Sequence, residues 1–171
     1  MDLRKRKPNR LRGYDYSREG TYFITLCVKE RYALLGTVVV GGDAHIAPHV
    51  QLSAVGKVTE KYIRHIPGID RYVIMPNHVH LTIILPPPEG GTMWASSPTY
   101  SIPQFIKSFK TLVTKELGYS LFQRSYHDRI VRSAEEYHAI CAYMNNNPAK
   151  WEEDCFYRKY DHDHAPQQMF S

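Results

Sequence analysis

The stretch that most constrains this chain is Met75-Pro76-Asn77-His78-Val79-His80-Leu81-Thr82-Ile83-Ile84-Leu85. Side chains alternate between the two faces of a strand. Val79, Leu81, Ile83 and Leu85 therefore share one apolar face, and His78, His80 and Thr82 share the other. The apolar face explains how the strand is held, but folding gives no reason for two adjacent imidazoles. They read in either of two ways. They are half-exposed histidines on the wet face of an antiparallel sheet, or they are two ligands of one cation, since neutral imidazole is the commonest side-chain metal ligand. The second reading needs a further ligand and a reactive group from elsewhere.

The rest of the chain supplies the frame. Arg71 to Met75 reads as a strand, and Pro76-Asn77 as the tight break of a hairpin that pins the register of the histidines. Thr21 to Lys29 and Leu34 to Val40 read as strands. Gly41-Gly42-Asp43 is turn chemistry, His45 to Pro48 a short third piece, and His45 and His49 loop histidines. Ser53 caps a helix to His65, with Val55, Val58, Tyr62 and Ile66 at helical spacing and Pro67-Gly68 as its stop. Pro86 to Pro98, with Trp94, is a loop. Ser101 and Gln104 spell a capping box for a helix with Pro103 in its first turn and Gly118 as its C-cap. Its stripe is Ile102, Phe105, Ile106, Phe109, Leu112, Val113 and Leu117. Ile130-Val131 reads as a brief strand. Ser133 and Glu136 spell a second capping box, opening a helix that buries Tyr137, Ile140, Cys141 and Met144. Tyr143 lies on the flank of that helix with Asn147 one turn further along, and Pro148 ends it. The pattern predicts one α+β domain, with a basic arm over 1–13, a folded unit over 14–151 and a weakly defined tail over 152–171.

Composition narrows the partners. The chain of 171 residues carries a net charge of +5 and 13 tyrosines, and its pI is about 9.1. Basic residues beside aromatic faces suit a polyanion with unstacked bases. Arg4, Lys5, Arg6, Lys7, Arg10 and Arg12 form the arm, read as either a solvated tail or a set of phosphate contacts. Lys107 and Lys110 lie off the apolar stripe of their helix and are open to the same two readings. Arg124, His127, Asp128, Arg129 and Arg132 make the 121–132 segment a DNA-facing one. Cys27, Cys141 and Cys155 form no CxxC pair, so a zinc knuckle or disulfide framework is not expected and a reducing cytoplasm is. No apolar run reaches the ~18 residues of a membrane span.

The pieces are chemically compatible. A cation on His78 and His80 would accept the amide oxygen of Asn147 as a third ligand. Tyr143 would then point at the same cation. A tyrosine hydroxyl, with an ordinary pKa near 10, attacks a phosphodiester only with such help. The product, a phosphotyrosine ester, keeps the energy of the broken bond for rejoining.

These motifs resemble the REP-associated tyrosine transposases, within the single-tyrosine HUH superfamily of insertion-sequence transposases. The resemblance is carried by Tyr14-Asp15-Tyr16-Ser17, Gly20-Thr21-Tyr22-Phe23-Ile24-Thr25, Met75-Pro76-Asn77-His78-Val79-His80, Phe109-Lys110, Tyr126-His127-Asp128 and Tyr143-Met144-Asn145-Asn146-Asn147-Pro148. It implies a ferredoxin-like (RRM-like) antiparallel sheet with helices packed on it. It implies His78, His80 and Asn147 as ligands of Mg²⁺ or Mn²⁺, although related transposases carry Gln where this chain has the shorter Asn147. It implies Tyr143 as the nucleophile that cleaves single-stranded DNA and stays on the 5′ phosphate. The implied partners are hairpin-forming palindromic DNA and, in dimeric relatives, a second copy whose active site receives the tyrosine helix. Three rivals stand beside this: a non-catalytic hairpin-binding protein, a two-histidine phosphoesterase built on His80-Leu81-Thr82, and a basic domain with incidental histidines. The proton acceptor for Tyr143 stays open, with His127 the nearest guess.

Overall fold

β-Branched and aromatic residues set the first strand, β1, at Gly20–Cys27. A computed structural model describes residues 13–40, 47–87 and 101–157. After β1 come β2 (Gly36–Val39), β3 (His49–Leu52), α1 (Ala54–Ile63), β4 (Ile69–Met75) and β5 (His78–Leu85). Then follow α2 (Ile102–Leu117), β6 (His127–Val131) and α3 (Ala134–Asn146), with 3-10 turns at Lys29–Arg31 and Pro148–Glu153. Four strands form one antiparallel sheet in the order β4-β5-β1-β6. With α1 and α2 as the crossovers, this is the expected ferredoxin-like arrangement. The β2–β3 hairpin is a separate small sheet inserted between β1 and α1.

The sheet has two unlike faces. Tyr22, Ile24 and Leu26 of β1 join Val79, Leu81, Ile83 and Leu85 of β5 in the main core. Ile63 of α1 and Ile102, Phe105, Ile106 and Phe109 of α2 cover them. A one-residue slip of β5 would pull its four side chains out of this core and turn His78, His80 and Thr82 into it, forfeiting up to about 6–12 kcal/mol of apolar burial. A domain of this size has a total stability of only ~5–15 kcal/mol, so the register is fixed. The slip-proof register is what aims His78 and His80 at the opposite face, over which α3 lies.

Local chemistry explains most element ends. The Ser53 hydroxyl accepts from the Gly56 N–H at 3.0 Å and caps α1. Gly56 itself lets α1 approach β2, because a Cβ there would sit 1.9 Å from the Leu35 carbonyl oxygen. Gly118 ends α2 at φ +78°, the left-handed C-cap its position predicts.

Several details differ from expectation. The buried line of α1 is Gly56, Thr59 and Ile63, one residue round from Val55, Val58 and Tyr62, which flank it. Ser101 makes no side-chain cap bond, so the first capping box does not close. Leu112 is 41% exposed, because α2 packs one side only against α1 and the sheet. In the second box Ser133 accepts from the Glu136 N–H, but the Glu136 carboxylate turns to the Arg132 N–H. His49 opens β3 rather than a loop. The turn at 41–43 and His45 lie outside the described residues, as do Trp94 and the basic arm.

Candidate active site

β1 and β4 flank the histidine strand and bring its polar face to the middle of the sheet. Thr25 stands opposite His80 and Cys27 opposite His78 on β1, with Val73 and Met75 on the β4 side. Both imidazoles are buried, His78 at 0% and His80 at 2% exposure, which overturns the half-exposed reading. The cover comes from α3 and from residues that follow it. Phe156 stacks near both rings, at 4.7 Å from His78 and 6.0 Å from His80.

Hydrogen bonds fix the orientation of His78. The Asn77 amide nitrogen donates to the carbonyls of Arg31 (3.2 Å) and Phe156 (2.8 Å). Its oxygen is thereby left to accept from His78 Nδ1 at 2.9 Å. His78 Nε2 then carries a lone pair. Nδ1 of His80 meets the Thr25 hydroxyl at 2.8 Å, and the two Nε2 atoms face each other at 3.0 Å. Arg31 supports the same corner. It is held at φ +57° in the 3-10 turn after β1, a conformation costing ~1–2 kcal/mol. There it lays its guanidinium over Phe156 at 5.2 Å and donates to the Cys155 carbonyl.

Tyr143 and Asn147 reach this pair from the flank of α3. The Tyr143 hydroxyl is 3.1 Å from His80 Nε2 and donates to Asp154 Oδ2 at 3.2 Å. The Asn147 amide nitrogen donates to the same Asp154 oxygen at 3.1 Å. The other Asp154 oxygen accepts from the Phe156 N–H at 2.7 Å. One chain thus assembles the whole cluster. Asp154, Phe156, Asn77 and Thr25 have no part in the site read from the sequence. Asp154 follows Pro148 and a 3-10 turn, where neither helical nor strand spacing connects it to Tyr143.

Burial sets the electrostatics. It drives both histidines down to about 3, so they are neutral at pH 7; the charge of Arg31 adds to the effect on His78 and that of His80's neighbour His78 to the effect on His80. Burial, then the charge of Asp154, pushes the Tyr143 hydroxyl up to about 12. Left so, it is a poor nucleophile. The cluster has the character of a cation site. Ligand atoms of His78, His80 and Asp154 lie within 4.8 Å of one another. The 3.0 Å between the Nε2 atoms matches neighbouring ligands about a small divalent cation with bonds of ~2.1 Å. Asn147 Oδ1 is buried with no hydrogen-bond partner among the described residues, an arrangement costing ~1–3 kcal/mol unless something binds it.

The other expected residues fall into separate places. A cleft of about 1160 Å³ runs from His80 and Tyr143 between β1, β6 and the start of α3, with Arg129 and Arg132 on its walls. Arg129 is paired with Glu136 at 2.6 Å. His127 is exposed on β6 opposite Thr25, and the Tyr143 hydroxyl meets Asp154 instead. A second groove lies on the outer side of α2, lined by Lys107, Lys110, Lys115 and Arg124 and by no carboxylate. Within it the Lys110 ammonium donates to the carbonyls of Gln123, Arg124 and Ser125, so it holds that segment in place. The Thr82 hydroxyl donates to Asp70 at 2.9 Å and accepts from the Arg71 N–H at 3.1 Å. Among the described residues no helix is long and apolar enough to cross a membrane. The cysteines described are free thiols.

The chain is similar to known proteins both in sequence and in structure. An uncharacterized protein of Haemophilus influenzae is 32% identical over 177 residues, covering 91% of this chain and 94% of that protein. A solved structure of a REP-associated tyrosine transposase bound to a REP hairpin superposes with a TM-score of 0.57 at 22% identity, over 83% of this chain and 73% of that one. No family model matches the chain.

Proposed function

As a member of one family with the Haemophilus influenzae protein, and with the fold of a REP-associated tyrosine transposase, this chain is, we propose, a metal-dependent transposase that cleaves and rejoins single-stranded, hairpin-forming DNA through a 5′-phosphotyrosine. One observation carries the reading. Tyr143 is the most exposed residue of the cluster, at 42%, and its hydroxyl sits 3.1 Å from a buried, neutral histidine of a cation-like site.

His78, His80, Asp154 and the free oxygen of Asn147 would hold Mg²⁺ or Mn²⁺. When bound, the cation supplies Lewis-acid polarisation of the scissile phosphate and offsets the negative charge that keeps Tyr143 protonated. The chain's own residues do the rest. Tyr143 Oη forms a bond to phosphorus, and the bond from phosphorus to the 3′ oxygen breaks; the departing 3′ oxygen takes a proton from solvent and is left as a free 3′ hydroxyl. Asp154, which already accepts from the hydroxyl, takes its proton, a role the sequence left open. Asn77 and Thr25, bonded to the Nδ1 atoms of His78 and His80, would hold the two rings in place as ligands. Attack by a 3′ hydroxyl on the ester reverses the step and rejoins a strand.

DNA would be held by charge. The groove on α2 offers Lys107, Lys115 and Arg124 to backbone phosphates; Arg132 on the large cleft and the sequence's basic residues Arg4, Lys5, Arg6, Lys7, Arg10 and Arg12 are further candidates for such contacts. Labelled hairpin DNA from repeats flanking the gene, mixed with the protein and Mn²⁺ and then denatured, tests the reading. A covalent band is expected, lost in EDTA, absent in Tyr143→Phe and weak in His80→Ala. A shifted native complex without a covalent band under any cation would replace this reading with that of a hairpin-binding protein.

A further inference from the structure

The chemistry above uses only the inner end of the large cleft. Its volume of about 1160 Å³ exceeds the ~300–1,000 Å³ of a small-molecule site, so there is room beyond one phosphate. Its lining is not that of a phosphate track. Arg129 and Arg132 are matched there by Asp128, Glu135 and Glu136, whereas the α2 groove has cations alone. Near the nucleophile the cleft is apolar and aromatic. Phe23 lies almost parallel to His80, at 5.3 Å and 24°, and meets Tyr143 edge to face with 6.4 Å between ring centres. Ala139 and Ile140 of α3 form the opposite wall. At the rim, the Arg129–Glu136 pair sets a donor beside an acceptor. A flat, apolar object with donors and acceptors on its edge fits such a space, and a nucleobase has that character.

Resting on the reading of the site as a single-strand nuclease, we infer that this cleft is a base-selecting pocket. It takes the unstacked base adjoining the phosphate that Tyr143 attacks, stacks it against Phe23, and meets its edge with Arg129 and Glu136.

The test uses a DNA hairpin with a single-stranded thymidine tail carrying one 2-aminopurine, moved stepwise along the tail, with Mn²⁺ present. Quenching on binding is expected at the position next to the phosphate joined to Tyr143 and not at distant ones. Phe23→Ala should lose that quench. Ala139→Phe, on the exposed surface of α3, should lose it by filling the cleft while leaving Mn²⁺ affinity unchanged, which separates blockage from misfolding. Hairpin affinity should fall at least about fivefold in both variants, the low end for loss of one aromatic stack. Quenching that is uniform along the tail, or unchanged in both variants while the covalent adduct forms, would overturn the pocket and leave the nuclease reading standing. Absence of both binding and adduct in the unaltered protein would overturn the nuclease reading, and the pocket with it.

Discussion

Asn147→Leu separates the stability of this site from its function. In the metal-free protein, Asn147 Oδ1 is buried with no partner among the described residues, while its amide nitrogen donates to Asp154 at 3.1 Å. Replacement by Leu, similar in size, relieves an orphaned acceptor costing ~1–3 kcal/mol and removes a bond to a carboxylate contributing ~1.5–3 kcal/mol. The two nearly cancel, so thermal unfolding in EDTA should agree with the unaltered protein to within ~1 kcal/mol, or about 2–4 °C. In Mn²⁺ the two should part. At a hundred times its Kd, the ion stabilises the unaltered protein by ~2.7 kcal/mol, and a variant binding tenfold more weakly by only ~1.4 kcal/mol. A gap of about 1.3 kcal/mol, near 3–5 °C, should then appear in calorimetry only when metal is present. Equal stabilisation by Mn²⁺ in both proteins would show that Oδ1 is no ligand. A loss above ~3 kcal/mol in EDTA would show that Asn147 is a structural residue, and the reasoning from its orphaned oxygen would fail.

Other outcomes follow from the same geometry. Asp154→Asn removes a charge that raises Tyr143, so the phenol should titrate below about 12, read by ultraviolet absorbance against Tyr143→Phe; Mn²⁺ affinity measured calorimetrically should fall as well. His78 and His80 are held near 3 by burial, below their ordinary 6.5. The unfolded chain therefore binds more protons below pH 6.5, and metal-free stability should drop as pH falls from 6.5 towards 3, by up to ~1.4 kcal/mol per pH unit for each histidine. A flat profile for these two, taken as the difference from His78→Gln and His80→Gln, would contradict their burial as neutral groups. Neutralising Lys107, Lys115 and Arg124 together should reduce the salt dependence of hairpin binding by ~2–3 in log–log slope, and neutralising Lys110 should lower stability instead, because it holds three carbonyls.

Much of this protein is legible in its sequence because much of it rests on local rules. The period of two in β5 separates Val79, Leu81, Ile83 and Leu85 from His78 and His80, and burial then dictates the register. Helical spacing places Tyr143 and Asn147 on one flank, and Gly118 stops α2 in the left-handed conformation; Pro148 does not turn the chain as expected, because Asn147 before it stays helical and α3 passes directly into a 3-10 turn. The tertiary structure decided what no period encodes. Burial of the histidines depends on α3 and Phe156 crossing over them. Asp154 joins Tyr143 only because a 3-10 turn folds the chain back on itself. Lys110 and Arg129, alike in sequence to any surface cation, are taken by carbonyls and by Glu136. Periodicity reports which side of its own element a residue occupies; which groups from distant elements meet there is settled by how the layers pack, and that is where this site acquires Asp154 and its cleft.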